Sequence, residues 1–535
     1  MPTPTITWAV NADGTWTTAA DWNPARVPIT SDDVSINTAD FHTITHSSGN
    51  EGVNSLTVGN DNFVVSGGVL TIATTASFAN QLTVSGGTLA ISLGGSATVA
   101  SFAQSGGVVS GRGGHLTVTG PAVFTSTSEL SGSGTTLLEG ATTLANGSVL
   151  NLANSRSISL TGAGSTLAGA INGTGGVNFA GGTQTLDPGF SLGTLSWDIS
   201  AGATTLNEDL SFAGGFLLTG GTLNVGGFTF TLTGNVALGF PGVGSTGVVT
   251  GSGALTLVNG ALIAGVTIGG TETVTNSGTA VEQVNPLRLG DSATSRTTFV
   301  NEAGAQYDLT DNHGIHHGSP LPQMFDNAGT LAKTGGAGLS KIVVRVVNDG
   351  TVSVATGTLE FVRTVTGAGA ATIAGGTLKL DGGFVQNVDF TGSSGVLDLA
   401  QSQGYSGTVA GFSTGGATEF DLRDIAFVGP GEASFSGTAS GGTLTVSDGT
   451  NAAAIQLAGN YLSAKFRVHA DGHGGTIVTA TTGAAAAPAL GAAHHRFIAA
   501  MAGFAPQPAT ASLAGGDHAW QNRSMLALPG RHPYA

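Results

Sequence analysis

The chain has 535 residues, 88 of them glycine and none cysteine, which excludes a disulfide framework, thiolate metal sites and cysteine catalysis. Hydrophobic residues make up 40% and charged residues 9%, the reverse of a disordered composition, and no G-X-Y period points to collagen. Against 32 acidic residues stand only 16 Lys and Arg, and the net charge of −16 discourages binding to nucleic acid.

Residues 1–46 stand apart. They hold Trp8, Trp16 and Trp22, three of the five tryptophans, and the run VPITSDDVSIN at 27–37. A repeat protein needs a terminal unit to cover its first open edge, so an N-terminal Trp-rich cap is expected here. The same three rings could instead form a carbohydrate-stacking platform. MPTPTITWAVNADGTW has neither a basic n-region nor an apolar h-region, so export without a cleaved N-terminal signal is expected. No apolar run long enough for a membrane span is present.

From 47 to 410 the text is short strands between Gly, Asn and Ser turns. SGGVL at 66–70, SGGTL at 85–89 and SGGVV at 105–109 follow one another at a near-constant step, their first glycines being Gly67, Gly86 and Gly106. GGTL returns at 220, 375 and 441. Such a period predicts an all-β, elongated parallel β-helix (a β-solenoid) with coils of about 19–21 residues. Period-2 alternation turns Leu, Val, Ile and Phe inward and rows of Thr and Ser outward, with glycines at corners that require positive φ. NAGT and NDGT place Asn327 and Asn348 one coil apart, which predicts asparagines stacked coil on coil. The stretch 308–324, DLTDNHGIHHGSPLPQM, breaks the rhythm and is expected to be a projecting loop.

Around 411 the strands lengthen and charge becomes denser, which predicts a C-terminal β-unit over 411–482 closing the solenoid. Residues 483–535 read as a linker, a short helix and a tail. Phe497, Ile498, Met501 and Phe504 share one face of that helix, an export or assembly segment.

The opening WTTAADWNPARVPITSDDVSI resembles the start of bacterial β-strand-repeat surface proteins and autotransporter-like passengers, and FDNAGTLAKTG and GTVSVATGTLEF look like their repeat units. GFSTGGATEFDLRDIAF with IQLAGNYLSAKFRVHADGHGGTIVT is similar to the terminal module of type I-exported repeat proteins of proteobacteria. The resemblance implies an extracellular or cell-surface protein of a Gram-negative bacterium, with adhesive, matrix, biofilm or fibre roles, and offers no catalytic residues to transfer. Two family features are missing: amphipathic barrel strands after Thr482 and calcium-binding nonapeptides, of which DGHGGTIV at 471–478 is a faint echo. No cofactor is expected, with calcium only weakly supported by ligand type.

Little else carries chemistry. His313, His316 and His317, beside Asp308 and Asp311, are weak candidates for a divalent transition metal, with a solvated loop as the plainer reading. The carboxylates Asp32, Asp33, Asp421, Asp424 and Asp448 are the residues to weigh as hydrolase or lyase groups. Glu129, Glu139 and Asp198, however, do not recur one coil apart. The expectation is therefore a non-enzyme: a structural or adhesive protein that partners itself, with end-to-end filament assembly, or surface glycans. A carbohydrate-binding adhesin is the alternative and a polysaccharide-processing β-helix enzyme the less favoured one.

Overall fold

The computed structural model describes residues 5–240, 247–318 and 322–482. These residues form a β-solenoid of about 19 turns, with 55% of them in strands. Two 3-10 turns, Ala19–Asp21 and Ser402–Gly404, are the helical elements among the described residues.

Strand after strand, the burial pattern alternates outward and buried, as in Asp33–Ile36, Thr43–His46 and Thr88–Ile91. Each coil lies parallel on the previous one. Val34, Leu56, Ala76, Ala97 and Leu116 follow one another in register, all inward. The interior is one continuous apolar column from Ile6 to Ala480. Burial per coil, added at roughly 25 cal/mol per Å² of apolar surface, is what holds so charge-poor a chain together.

The repeated SGG corner has a two-part cause. A Cβ on the first glycine, at 67, 86 or 106, would meet the Ser47, Ser66 or Ser85 carbonyl oxygen of the coil below at 2.3, 2.4 and 2.7 Å. The second glycine, at 68, 87 or 107, has φ of +66°, +58° and +62°.

The stacked asparagines are present and reach further than the two expected. Asn276, Asn301, Asn327 and Asn348 are fully buried. Each donates from Nδ2 to Oδ1 of the next, at 2.8, 2.8 and 2.7 Å. Gly367 occupies the following rung, and the longer Gln386 reaches past it to accept from Asn348 at 2.7 Å. Several coils here are longer than the SGG repeats implied. The step from Asn276 to Asn301 is 25, from Asn301 to Asn327 it is 26, and from Glu282 to its register partner Leu309 it is 27.

That lengthening corrects the reading of 308–324 as a projecting loop. Asp308 lies within the strand Gln306–Leu309, and Ile315–His317 is a strand in register with Leu287–Leu289. Ile315 is buried, and Gly314 lies so close to the Lys341 backbone that a Cβ would meet its carbonyl oxygen at 2.4 Å. The added residues enlarge a coil instead of leaving it; residues 319–321 are outside the described residues.

At each end of the solenoid one strand edge is closed by an antiparallel strand. At the start, Trp22–Asn23 lies antiparallel to Ile6–Trp8. At the end, Thr418–Leu422 still stacks parallel on Gly395–Leu399, past the expected boundary at 410, and Thr476–Thr482 then closes its free edge antiparallel. The other edge, Thr408–Ala410, is met by Ala452–Ala458, the last strand of an antiparallel meander. Covering these edges removes a template for uncontrolled strand addition.

Candidate functional site

The outward residues of the first coils form a grid. One column runs Ser55, Thr75, Ser96, His115, Thr135 and Ser157. Two residues along each strand a second runs Ser35, Thr57, Ser77, Thr98 and Thr117. Rungs are ~4.8 Å apart, the spacing of paired strands. The other faces carry similar columns, Thr143–Thr166–Thr185–Thr205 and Ser211–Thr231–Thr256–Thr275 among them.

At the N-terminal end of the first grid a shallow groove is lined by Asp33, Ser35, Ser55, Thr57, Thr75 and Ser77. Asp33 accepts from Ser55 Oγ and Asn54 Nδ2, both at 2.7 Å, and these bonds hold its carboxyl below the usual range. Its neighbour Asp32 is buried in a two-pronged ion pair with Arg26, at 2.5 and 2.7 Å. The two carboxylates are thus one hydrogen-bond acceptor in the groove and one structural anion, not an acid–base pair. The groove offers hydroxyls and an acceptor to a polar, uncharged ligand.

The three tryptophans lie beneath this groove's end, inside. Trp16 and Trp22 are 0% and 2% exposed and Trp8 is 7% exposed. Trp22 sits edge-on to both others at 4.9 Å and donates from Nε1 to the Trp16 carbonyl at 2.8 Å. They are cap core. The stacking-platform reading fails because no ring face is free to meet a sugar.

Asp424 and Asp448 are tied down by hydrogen bonds. Asp424 accepts from Ser402 Oγ at 2.5 Å, and Asp448 holds a turn through the Thr450 and Asn451 amides, which keep its carboxyl far below the usual range. Lys341, Glu360, Lys379, Asp398 and Asp421 stack in one column of the later coils. Glu360 accepts from Lys341 at 2.8 Å and Lys379 at 3.0 Å, and Arg423 bridges Asp398 and Asp381 at 2.5 and 2.6 Å. Asp421, at the end of the column, is pushed up to about 6 by burial, helped by the charges of Asp398 and Asp471.

The histidines do not assemble a metal site. His313 Nδ1 pairs with Asp311 Oδ2 at 2.8 Å, whereas His316 lies in register with Arg288 and His317 with Leu289. Among the described residues no three His, Asp or Glu side chains converge as metal ligands. The assembly candidates Phe497, Ile498, Met501 and Phe504 lie outside the described residues.

Sequence reasoning missed a set of buried polar groups, because alternation equates polar with outward. Arg156 is fully buried and ties three coils by donating to Gly114 O at 3.0 Å, Thr135 O at 2.8 Å and Thr136 Oγ1 at 2.8 Å. Lys333 is also buried and caps the Asp311 and Gly335 carbonyls at 2.5 Å. Glu282 accepts from Tyr307 Oη at 2.5 Å, and Glu272 has no partner for either oxygen. Burial pushes both glutamates up to about 8.

No family model, curated protein or solved structure matches the chain. The hydroxyl grid and its groove are therefore read from their own geometry. No helix among the described residues is long and apolar enough to cross a membrane.

Proposed function

We propose that this is a non-catalytic extracellular structural and adhesive protein that works through its hydroxylated faces. The observation that carries the reading is the unbroken grid from Ser35 and Ser55 to Thr117 and His115, repeated coil by coil. Each rung offers one or two weak hydrogen bonds, and the stacked coils between Ser35 and Ser157 multiply them. Many weak contacts on one rigid scaffold give avidity without any strong single site. Neutral surface glycans are the favoured counterpart, because hydroxyl rows and the Asp33 acceptor suit sugar hydroxyls and carry no charge requirement. Export by a type I route from a Gram-negative bacterium remains part of the proposal on the strength of the sequence resemblance alone.

Self-assembly belongs to the proposal in a narrower form. The antiparallel strands on Ile6–Trp8 and Thr418–Leu422 favour end-to-end packing over strand addition at those edges. The enzyme reading is the less favoured one, since Asp32, Asp33, Asp424 and Asp448 each serve a structural hydrogen bond.

The full-length protein should be retained on immobilised neutral polysaccharide. A variant carrying Thr57→Val, Ser77→Ala, Thr98→Val and Thr117→Val should be released while keeping its circular dichroism. Equal retention of both would remove the hydroxyl grid from the account.

A further inference from the structure

One cluster on the surface has the opposite character to the rest of this acidic chain. Only 16 residues are Lys or Arg, yet Arg288, Lys341 and Arg363 fall on neighbouring coils together with His316 and His317. Arg288 and His316 are register partners in adjacent strands, so their outward side chains stand ~4.8 Å apart along the stack. Gly314, two positions before His316, packs against the Lys341 backbone, which brings Lys341 alongside. Arg363 donates from Nε to the Val343 carbonyl at 2.9 Å, and the Val343 amide in turn bonds the Ile315 carbonyl of the histidine strand.

The acids nearby are already engaged. Asp311 holds His313 and the Val284 amide, Glu360 is shared between Lys341 and Lys379, and Asp291 accepts from Ser295 Oγ and the Gly270 amide. Arg288, exposed, makes no side-chain hydrogen bond or ion pair among the described residues. The His316 imidazole is held below its usual value by burial and then by Arg288, His317, His313 and Lys341, all of them cations or potential cations. The cluster therefore repels a metal ion, and although Lys341 shares Glu360, Arg288 has no anion of its own among the described residues.

We infer that Arg288, His316 and Lys341 form a binding site for an oxyanion carried on an acidic polysaccharide, a sulfate ester or a carboxylate. Arg288 supplies a planar, two-pronged donor for such a group and Lys341 a point charge beside it. Charge complementarity selects the occupant: a chain of net charge −16 repels a polyanion over most of its surface and attracts it here. This inference is independent of the hydroxyl grid, which lies on other coils and needs no charge.

The test measures binding of the full chain to dextran sulfate, alginate, uncharged dextran, inorganic sulfate and duplex DNA at low and moderate salt. Retention of dextran sulfate or alginate that falls with salt, and by roughly tenfold or more in Arg288→Gln and in Arg288→Gln/Lys341→Gln, is the expected result. Lys465→Gln/Arg467→Gln, which removes the same charge from the strand Ala464–Ala470, should bind as the parent does. Equal loss in that control, no binding of either acidic polymer, or a preference for DNA would overturn the site. Single substitution of the exposed Arg288 guards against misfolding, since it breaks no contact within the described residues.

Discussion

Asn301 donates from one Nδ2 both to Asn327 Oδ1 at 2.8 Å and to the Thr330 carbonyl at 3.1 Å, one coil further on. The amide fills a buried corner where the chain turns between two sheets, and it replaces a backbone bond that the turn cannot make. Asn301→Ala should orphan groups on both adjacent coils and cost on the order of 2–3 kcal/mol. Thermal melting should begin earlier and limited proteolysis should start between 276 and 348. Thr275→Ala, on the outward side of a neighbouring strand, should leave both readouts unchanged.

Glu272 and Glu282 predict an unusual pH dependence. Burial holds their carboxyls at about 8 in the folded chain, above the ordinary 4.5. The unfolded chain therefore gives up these protons first, so their contribution is fully present below about pH 4.5 and is lost as pH rises through 8. Glu272→Gln should match the parent near pH 4 and exceed it at pH 8.5 by on the order of 2 kcal/mol. Melting curves collected from pH 4 to 9 decide this, and parallel profiles for the two proteins would contradict it.

The corner glycines separate strain from collision. At Gly87 φ is +58° and a Cβ would lie 2.5 Å from the Gly67 carbonyl carbon, whereas at Gly94 φ is +75° with nothing within 4 Å. Gly94→Ala should cost about 1 kcal/mol, the conformational term alone. Gly87→Ala should cost about 3 kcal/mol or more, because backbone must move on two coils. Comparable midpoints for the two variants would mean that coil contact at the SGG corner is looser than the geometry requires.

Trp22 tests the cap. Trp22→Ala removes a ring packed edge-on against Trp8 and Trp16 and should destabilise the first coils by about 3–5 kcal/mol. Trp16→Phe, which keeps most of the packing, should retain neutral polysaccharide as the parent does. Loss of retention in that folded variant would restore a sugar-binding role for the cap.

The legible parts of the fold are those with one physical solution. Gly67, Gly86 and Gly106 recur because no other residue fits against the carbonyl below, and Asn327 and Asn348 recur because a stacked amide bonds in both directions. The 308–324 stretch misled because its strand Ile315–His317 is three residues long, with Ile315 buried beside the outward His316 and His317, too short to show an alternation. Trp8, Trp16 and Trp22 could be placed in the cap from composition, but which way a ring faces depends on tertiary packing, as of Trp16 on Phe63. The cationic cluster was hidden for the same reason: Arg288 and His316 are distant in the chain and become neighbours only through the lengthened coil.

The most direct test of the adhesive account is a coil-by-coil titration of retention on neutral polysaccharide. Thr57→Val, then Ser77→Ala, Thr98→Val and Thr117→Val are added one at a time, and the dissociation rate of the full-length chain is measured after each. If the grid adheres by summing equivalent rungs, the rate rises by a similar factor at every step. A single step that carries the whole loss, or no change across all four, would contradict adhesion through a repeated hydroxyl face.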